Sequence, residues 1–511
     1  MNLLRALATV SSLTFVSRIL GYVRDLIIAR AFGASLGTDA FFVAFRIPNL
    51  LRRLFAEGAF SQAFVPVLAA AKAEDEQGVR SLLDGVATLL FLGLVAAAAL
   101  GVLAAPLVVW ISAPGFGADP AKFDLTVTML RITFPYIVFI SLVALSAGVL
   151  NTWNRFSVPA LTPAFLNVAF IVGTLAFADR FEPPALVLAW AVFAGGVLQL
   201  AFQVPFLARL GMLPRWRLDL RHPGVRRILR LMAPAAFGVS ISQVSLLINT
   251  IFASFLVTGS VSWLYYADRL MELPAGMLGA ALGTILLPSL SRYHAAANAA
   301  EYSRLLDWGL RVTFVLALPA AVALAVLAIP LIAALFHYGR FSAEDAWMTR
   351  QALAAYSVGL VGMILVKILA PGFYARQDIR TPVKIGLLTL AATQLMNLAF
   401  IVPLRHAGLA LAIGLGACLN AALLYRGLRR RGAYIPEPGW GAFLAKVAVA
   451  VALMAAALHF AMGEAQWWLA ARWQGKLAWL LALVALGAAT YGLCLAALGL
   501  RLRHFSRRGA A

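Results

Sequence analysis

The chain has 511 residues, of which 62% are hydrophobic and only 12% are charged. Soluble domains contain roughly 45–50% apolar and about 25% charged residues, and a soluble core of this length could not bury so much apolar surface. The composition therefore excludes a soluble enzyme, a disordered chain and a disulfide scaffold, and it indicates a polytopic membrane protein. Cys418 and Cys494 lie in apolar stretches and form no CxxC motif, so neither a disulfide nor a metal site is predicted.

Fourteen stretches of the chain are long and apolar enough to cross a bilayer, since a spanning helix needs about 20 predominantly apolar residues. In chain order they cover residues 9–31, 37–60, 82–111, 126–150, 157–178, 184–208, 231–257, 261–288, 308–336, 350–370, 382–403, 405–428, 441–462 and 477–500. No long polar segment interrupts the series. The sequence thus predicts an all-α polytopic membrane protein with about fourteen transmembrane helices.

Basic residues are distributed unevenly between the two ends of these predicted spans. The even-numbered connections and both termini hold 24 lysines and arginines, whereas the odd-numbered connections hold six. Those six are Lys122, Arg180, Arg340, Arg405, Arg472 and Lys476. Because basic loops stay on the cytoplasmic side, both termini are predicted to be cytoplasmic, which requires an even number of spans. The net charge of +21 thus reflects topology, and no nucleic-acid partner is predicted.

A weak internal repeat relates the two halves of the chain at an offset of 222 residues. Gly37-Thr38 resembles Gly259-Ser260, and the stretch at 63–68 resembles that at 285–290. Six predicted helices separate equivalent spans, so the halves would run in the same direction, as in transporters with parallel repeats. The predicted organisation is an N-lobe at 1–222, a C-lobe at 223–432, and an addition at 433–511 that holds spans 13 and 14 and a basic tail.

Motifs of soluble enzymes give no support for catalysis. The GxSxG at residues 33–37 joins two predicted membrane helices, whereas a nucleophile elbow joins a strand to a helix. The chain has no Walker A motif, no HExxH and no DDxxD, so no cofactor is predicted. Gly279 and Gly283 form a small-xxx-small pattern, which is typical of close helix packing.

Charged residues inside predicted spans are the informative feature, because each costs at least about 2.5–3.5 kcal/mol at mid-bilayer and normally faces a cavity or a partner. Apart from Arg350 at the first position of span 10, spans 1, 2, 8 and 10 hold eight basic residues against five acidic ones. The basic residues are Arg18, Arg24, Arg30, Arg46, Arg52, Arg53, Arg269 and Lys367, and the acidic ones are Asp25, Asp39, Glu57, Asp268 and Glu272. The excess of about three positive charges favours an anionic ligand.

Helical spacing separates local pairs from candidate ligand contacts. Arg269 and Glu272 can pair at i, i+3, and Arg30, Arg46 and Arg53 lie near helix ends or local partners, where snorkelling explains them. The guanidinium groups of Arg18, Arg24, Arg52 and Arg269 suit bidentate binding of phosphate oxygens. These four are therefore predicted to bind a diphosphate, with supporting roles for Asp25, Asp39, Asn49, Asp268, Glu272 and Lys367.

Several ordered motifs resemble the MurJ (MviN) family of lipid II flippases in the MOP exporter superfamily. They are SRILG at 17–21, TDAFFVAF at 38–45, PNLLRR at 48–53, EGAFSQAFVP at 57–66, NTWNR at 151–155, YYADRLME at 265–272 and APGFY at 370–374. The cavity arginines of that family match Arg18, Arg24, Arg52 and Arg269, and its other charged cavity positions match Asp39 and Lys367.

The resemblance implies two six-helix lobes in a MATE-like arrangement, with two further helices that form a groove for a lipid tail. It also implies a monomer in the bacterial inner membrane. That protein would move lipid II, the undecaprenyl-diphosphate-linked peptidoglycan precursor, from the cytoplasmic to the periplasmic leaflet by alternating access, for cell wall biogenesis. The substrate could instead be another polyprenyl-diphosphate-linked oligosaccharide. A multidrug exporter would favour a carboxylate-rich cavity, and a polyprenyl-diphosphate enzyme would need acidic metal-binding clusters.

Overall fold

The computed structural model describes residues 3–53, 59–74, 76–219 and 222–500, and no β-strand occurs in these ranges. The α-helices are α1 (Leu3–Phe32), α2 (Leu36–Arg52), α3 (Ala59–Glu74), α4 (Glu76–Leu103), α5 (Ala105–Ser112), α6 (Pro120–Thr133), α7 (Tyr136–Thr152), α8 (Ser157–Phe177), α9 (Leu186–Arg209), α10 (Pro223–Ser254), α11 (Ser260–Ala295), α12 (Ala299–Val326), α13 (Ala328–Leu335), α14 (Ala343–Ser357), α15 (Leu360–Tyr374), α16 (Arg380–Arg430), α17 (Trp440–Ala461), α18 (Ala465–Ala470) and α19 (Trp473–Ala497).

The helices confirm the predicted all-α polytopic membrane class. Within the described ranges, nine helical stretches are long and apolar enough to cross a membrane, and shorter apolar helices lie at Ala63–Ala73 and Gln243–Ser254. The 51-residue α16 covers two predicted spans, 382–403 and 405–428. Arg405 leaves the helical region with φ 50° and ψ −130° at the boundary between them. The count of fourteen spans stays a prediction.

Two compact units make up the chain, Met1–Ser262 and Trp263–Ala511. The first unit contains α1 to α10, so α10 groups with the helices that precede it. The predicted lobe boundaries at 222/223 and 432/433 stay predictions.

The core of the first unit lies where α3 packs between α4 and α7. Phe60 and Phe64 of α3 are fully buried, and their rings stack with centroids 5.0 Å apart. They belong to one buried cluster with Leu83 of α4 and Leu145 of α7. Between membrane helices the surrounding lipid is as apolar as these side chains, so close packing within this cluster holds the three helices together.

The last two long helices, α17 and α19, pack on the second unit through a separate cluster. Val447 and Met454 of α17 and Leu483 of α19 are buried together with Val315 of α12 and Ala333 of α13. The predicted addition at 433–511 thus has an apolar interface with α12 and α13 within the described part of the second unit.

A buried carboxylate fixes the start of α17. Asp307 of α12 is 3% exposed, and its Oδ1 accepts hydrogen bonds from Tyr434 Oη and Trp440 Nε1, both at 2.7 Å. Its Oδ2 accepts from Arg311 Nε at 2.7 Å. Burial and the Asp307 carboxylate raise the pKa of Tyr434, so the phenol stays protonated and donates. The chain between α16 and α17 is therefore tied to α12.

Candidate functional site

Arg24 is the most deeply buried of the four predicted diphosphate ligands, with 8% of its surface exposed. Its Nε and Nη2 donate to Asp25 Oδ1 at 2.9 and 2.7 Å, and its Nη1 donates to Asn167 Oδ1 at 3.1 Å. The guanidinium also lies 5.3 Å from the ring centroid of Phe170. Asn167 Nδ2 in turn donates to the Ser17 carbonyl at 3.1 Å, so α8 orients the guanidinium that α1 carries.

The Asp25 carboxylate balances the positive charge of Arg24. The carboxylate is 2% exposed, and two guanidinium nitrogens donate to one of its oxygens, which makes a charge-assisted pair that is stronger than a neutral hydrogen bond. Asp25, which was predicted to support the site, pairs in the structure with its chain neighbour Arg24. Asn167, a lone amide within the apolar span 157–178, was missed, although an amide in such a span is itself a signal for a partner.

Asp39 lies in a buried polar network at the start of α11. The carboxylate is 1% exposed, and its Oδ2 accepts from Lys122 Nζ and from the Gly259 amide, both at 2.8 Å. Its Oδ1 accepts from the amide and the hydroxyl of Ser262 at 2.9 and 2.7 Å. The carboxylate thus satisfies amides at a helix N-terminus, where a negative charge is also favoured by the helix dipole.

Lys122 is the partner that sequence reasoning missed, because it was assigned to the third connection between spans. The structure places it in the first turn of α6 and leaves it 3% exposed. Asp119 caps this helix by accepting from the Lys122 amide, and Pro120 follows the cap. An Asp-Pro pair before an apolar run is a helix-start signal, so the sequence held the information that Lys122 is helical.

The remaining arginines of the first unit are more accessible. Arg18 is exposed, and Arg52 is half-buried with its Nε donating to Asn49 Oδ1 at 3.0 Å. Arg46 donates to the Leu246 carbonyl at 3.0 Å and to the Thr250 hydroxyl. Arg46 therefore has hydrogen-bond partners, as predicted for a structural arginine. These partners come from α10 and not from its own helix. Glu57 lies outside the described residues.

In the second unit, Arg269 forms the predicted i, i+3 pair. Its Nη1 donates to Glu272 Oε2 at 2.9 Å, its Nε donates to the Tyr265 hydroxyl at 3.3 Å, and its guanidinium lies 5.3 Å from that ring centroid. Glu272 and Asp268 are exposed. The pair is partly accessible, so the guanidinium of Arg269 can exchange its carboxylate for another anion at little cost in buried surface.

Lys367 explains one of the glycines in the small-xxx-small pattern. A Cβ at Gly279 would overlap the Lys367 side chain, and Lys367 Nζ donates to the Ala275 carbonyl at 3.0 Å. Gly279 therefore provides the space through which the lysine crosses α11. A side chain at Gly283 would instead come only within 3.9 Å of the Lys367 carbonyl.

A separate apolar cavity of about 260 Å³ lies between α12, α17 and α19. Its lining includes Pro319 and Ala323 of α12, Leu458 of α17, and Leu483 and Ala488 of α19. Tyr491 also lines the cavity, and its hydroxyl donates to the Val315 carbonyl at 2.7 Å. Because that hydroxyl is satisfied within the protein, the rest of the cavity surface is hydrocarbon-like. Such a cavity suits an aliphatic chain.

The described residues contain no group of three or more histidine, cysteine, aspartate or glutamate side chains that could hold a metal ion. Among the predicted diphosphate ligands, Arg18 is exposed and Arg52 and Arg269 are partly exposed. Guanidinium groups of this kind bind phosphate or carboxylate oxygens.

The chain is similar to known proteins over most of its length. The family profile described as lipid II flippase MurJ matches residues 28–473. The lipid II flippase MurJ of Burkholderia cenocepacia is 52% identical over 99% of this chain and 100% of its own length. The probable lipid II flippase MurJ of Haemophilus influenzae is 43% identical over 96% of this chain and 99% of its own.

Solved structures show the same fold. A lipid II flippase MurJ in an inward closed conformation matches with a TM-score of 0.79 at 24% identity, over 96% of this chain and 98% of that one. An inward-facing multidrug resistance MATE transporter of the MOP superfamily matches with a TM-score of 0.63 at 18% identity, over 81% and 94%. The MATE-like fold class predicted from the sequence is thereby confirmed. On the profile and the curated relatives together, the chain belongs to the lipid II flippase MurJ family.

Proposed function

We propose that this protein flips lipid II from the cytoplasmic to the periplasmic leaflet of the bacterial inner membrane by alternating access. The observation that carries the proposal is the 52% identity, over nearly the whole of both chains, to a relative named lipid II flippase MurJ. Transport of an amphiphile requires no covalent step, so no catalytic residue and no cofactor are assigned. A MOP-superfamily exporter of another polyprenyl-diphosphate-linked oligosaccharide is not favoured, because the full-length relatives carry the lipid II name.

Rapid inactivation of this protein in growing cells tests the proposal. We expect lipid II that is accessible to a membrane-impermeant probe to fall within minutes, while total lipid II rises, because synthesis continues on the cytoplasmic side. Depletion of an unrelated inner-membrane transporter serves as the control. If lipid II remains accessible from outside after inactivation, the proposed function is wrong.

The diphosphate of the substrate is proposed to bind Arg18, Arg24, Arg52 and Arg269, with Asp25, Asp39, Asn49, Asp268, Glu272 and Lys367 in supporting roles. Two of these arginines already hold carboxylates, Asp25 and Glu272. A diphosphate carries more charge than one carboxylate and offers several acceptor oxygens, so it can replace these partners without leaving the guanidinium groups unpaired. Asp25 and Glu272 thus balance the charges of Arg24 and Arg269 until a diphosphate replaces them.

The proposed topology has fourteen spans in two six-helix lobes, 1–222 and 223–432, with both termini cytoplasmic, and the protein is proposed to act as a monomer. The apolar cavity between α12, α17 and α19 is proposed to hold part of the polyprenyl tail. Its apolar lining supports this assignment, since an aliphatic chain that moves there from the bilayer loses no hydrogen bond and packs against side chains as apolar as lipid.

A bulky residue in the cavity should block the tail. Ala488 lines the cavity, whereas the next residue, Ala489, does not, so the two positions form a matched pair. We expect Ala488→Trp to reduce lipid II binding by about tenfold or more, since overpacking costs about 1–3 kcal/mol and 1.4 kcal/mol is tenfold in affinity. Ala489→Trp should bind normally.

Titration of the purified protein with lipid II, read by native mass spectrometry, checks this expectation. Thermal unfolding midpoints in detergent show whether either tryptophan disturbs the fold. Equal binding by the two variants would remove the cavity from the lipid-tail site.

A further inference from the structure

A second pocket, of about 450 Å³, lies at the α18–α19 turn of the second unit. Its polar lining consists of His337, Tyr338, Arg472, Gln474 and Lys476, and none of its lining residues is acidic. His337 comes from the predicted ninth connection, and Arg472 and Lys476 come from the predicted thirteenth. The pocket therefore combines polar residues from two connections that are predicted to lie on the same side of the membrane, and its cations Arg472 and Lys476 both come from the thirteenth.

Lys476 is buried in this pocket without a carboxylate partner among its lining residues. It is 2% exposed, its Nζ lies 3.4 Å from His337 Nδ1, and it lies 5.0 Å from the ring centroid of Tyr338. Burial of an ammonium group is costly unless an anion or several acceptors compensate for it. One ring nitrogen and one aromatic face are weak compensation for a full charge.

His337 remains an acceptor for this lysine at neutral pH. Burial and the Lys476 ammonium lower the pKa of His337, against the opposite effect of the Asp345 carboxylate. The neutral ring accepts a hydrogen bond at Nδ1 and carries no charge that could balance Lys476. The pocket therefore keeps a net positive charge.

The N-terminus of α19 adds further donors to the same pocket. Arg472 is the N-cap residue, and its side chain makes no capping hydrogen bond to the helix. The first amides of a helix have no intrahelical acceptor, and the first two residues of α19, Trp473 and Gln474, line the pocket. Backbone amides, the helix dipole and nearby lysine or arginine side chains together form the usual setting for phosphate binding.

We infer that this pocket binds a phosphate group, from an anionic phospholipid or from free phosphate, with Lys476, Arg472 and the first amides of α19 as donors. Two observations favour a lipid source. Trp467 and Trp473 next to the pocket are 45% and 57% exposed, as is typical of aromatic residues at a membrane interface. Lys476 also lies seven residues before Leu483, which lines the apolar cavity. The two residues are therefore separated by about 10 Å along the axis of α19.

Lys476, Leu483 and Gly487 lie on one buried stripe of α19, since they are spaced at i, i+7 and i+11 and all three are buried. A phosphate bound at Lys476 and a hydrocarbon chain in the apolar cavity would thus lie along one face of the same helix. The site is independent of the diphosphate-binding arginines proposed above, and its test does not depend on transport.

The experiment uses the full chain in detergent and compares Lys476→Met and Arg472→Gln with Lys446→Met, which removes a cation from α17 outside this pocket. Phosphatidylglycerol, diacylglycerol with the same acyl chains, and inorganic phosphate serve as probes. Binding of the two lipids is measured by native mass spectrometry, and binding of phosphate by calorimetry. Both pocket variants should lose about tenfold or more in phosphatidylglycerol binding, which is the factor expected for one charge-assisted hydrogen bond.

The control variant should bind phosphatidylglycerol normally, and diacylglycerol binding should be the same in all proteins. Loss of inorganic phosphate binding in the pocket variants, with phosphatidylglycerol unchanged, would instead identify free phosphate as the ligand. Unchanged binding of both phosphate-bearing probes would overturn the inference.

A second readout separates binding from structure. Because Lys476→Met removes a buried cation that lacks a carboxylate partner, the unfolding temperature of the ligand-free protein should hold or rise. A fall in that temperature together with normal binding by Arg472→Gln would make Lys476 a structural residue and overturn the inference.

Discussion

Replacement of Arg24 by alanine is expected to abolish growth in a strain depleted of its own flippase, while the variant remains at normal level in the membrane. Arg24 is the one predicted diphosphate ligand that is buried, and hydrogen bonds to charged groups contribute about 1.5–3 kcal/mol each. Loss of two such bonds to phosphate corresponds to a factor of a hundred or more in affinity. Arg24→Lys should rescue growth poorly, because lysine keeps the charge but loses the planar fork.

Two comparisons separate binding from folding in this experiment. Arg30→Ala removes an exposed arginine of the same helix and should grow normally. Arg24→Ala removes the guanidinium that pairs with the buried Asp25 carboxylate. If this lowers the amount of protein in the membrane, the double variant Arg24→Ala/Asp25→Ala should restore that amount. It should not restore growth. Lipid II binding by native mass spectrometry gives the direct readout. Full growth with Arg24→Ala would remove this residue from the site.

Separation of Asp39 from Lys122 should cause the largest loss of stability. The pair is 2.8 Å apart, with side-chain exposures of 1% and 4%. Removal of one member of a buried pair leaves an uncompensated charge and costs about 3–5 kcal/mol. We therefore expect Asp39→Asn and Lys122→Met each to lower the thermal unfolding midpoint clearly, as measured in detergent.

The double variant distinguishes a true pair from two independent side chains. With both charges removed, no buried charge is left unpaired, so Asp39→Asn/Lys122→Met should lose less stability than the sum of the single changes. Lys72→Met, which removes an exposed lysine with a single carbonyl acceptor, is the control and should change the midpoint little. Additive losses in the double variant would show that Asp39 is stabilised by the amides of Gly259 and Ser262 and not by Lys122.

The consequences for transport follow from where Asp39 lies. It was predicted to support the cavity, and in the structure it accepts three hydrogen bonds from Gly259 and Ser262 at the start of α11 and a fourth from Lys122 of α6. Those contacts are all within the first compact unit. A growth defect in an Asp39 variant can therefore arise from the position of α11, so transport should be interpreted only beside the unfolding data.

Contacts within a single helix could be predicted from the sequence. The Arg269–Glu272 pair follows from helical spacing alone, because residues three apart on a helix are neighbours. The apolar cavity is lined by α17 and α19 together with α12, and its role as the lipid-tail groove that the family resemblance implies stays a prediction. The burial of Arg24 could not be predicted, because it depends on Asn167, which is 143 residues away in the chain.

The sequence by itself determined that this is an all-α membrane protein of the MurJ family, and it determined which charges had to be explained. A charge in hydrocarbon is costly wherever the helix packs, so composition and spacing are sufficient for the membrane class and for the choice of charges, whereas the family follows from the ordered motifs. Only the tertiary structure decided the partners. Lys122 meets Asp39, and Lys476 meets His337, across 83 and 139 residues. Such pairs depend on which helices pack together, because the hydrophobic pattern that drives insertion assigns no specific neighbour to a helix.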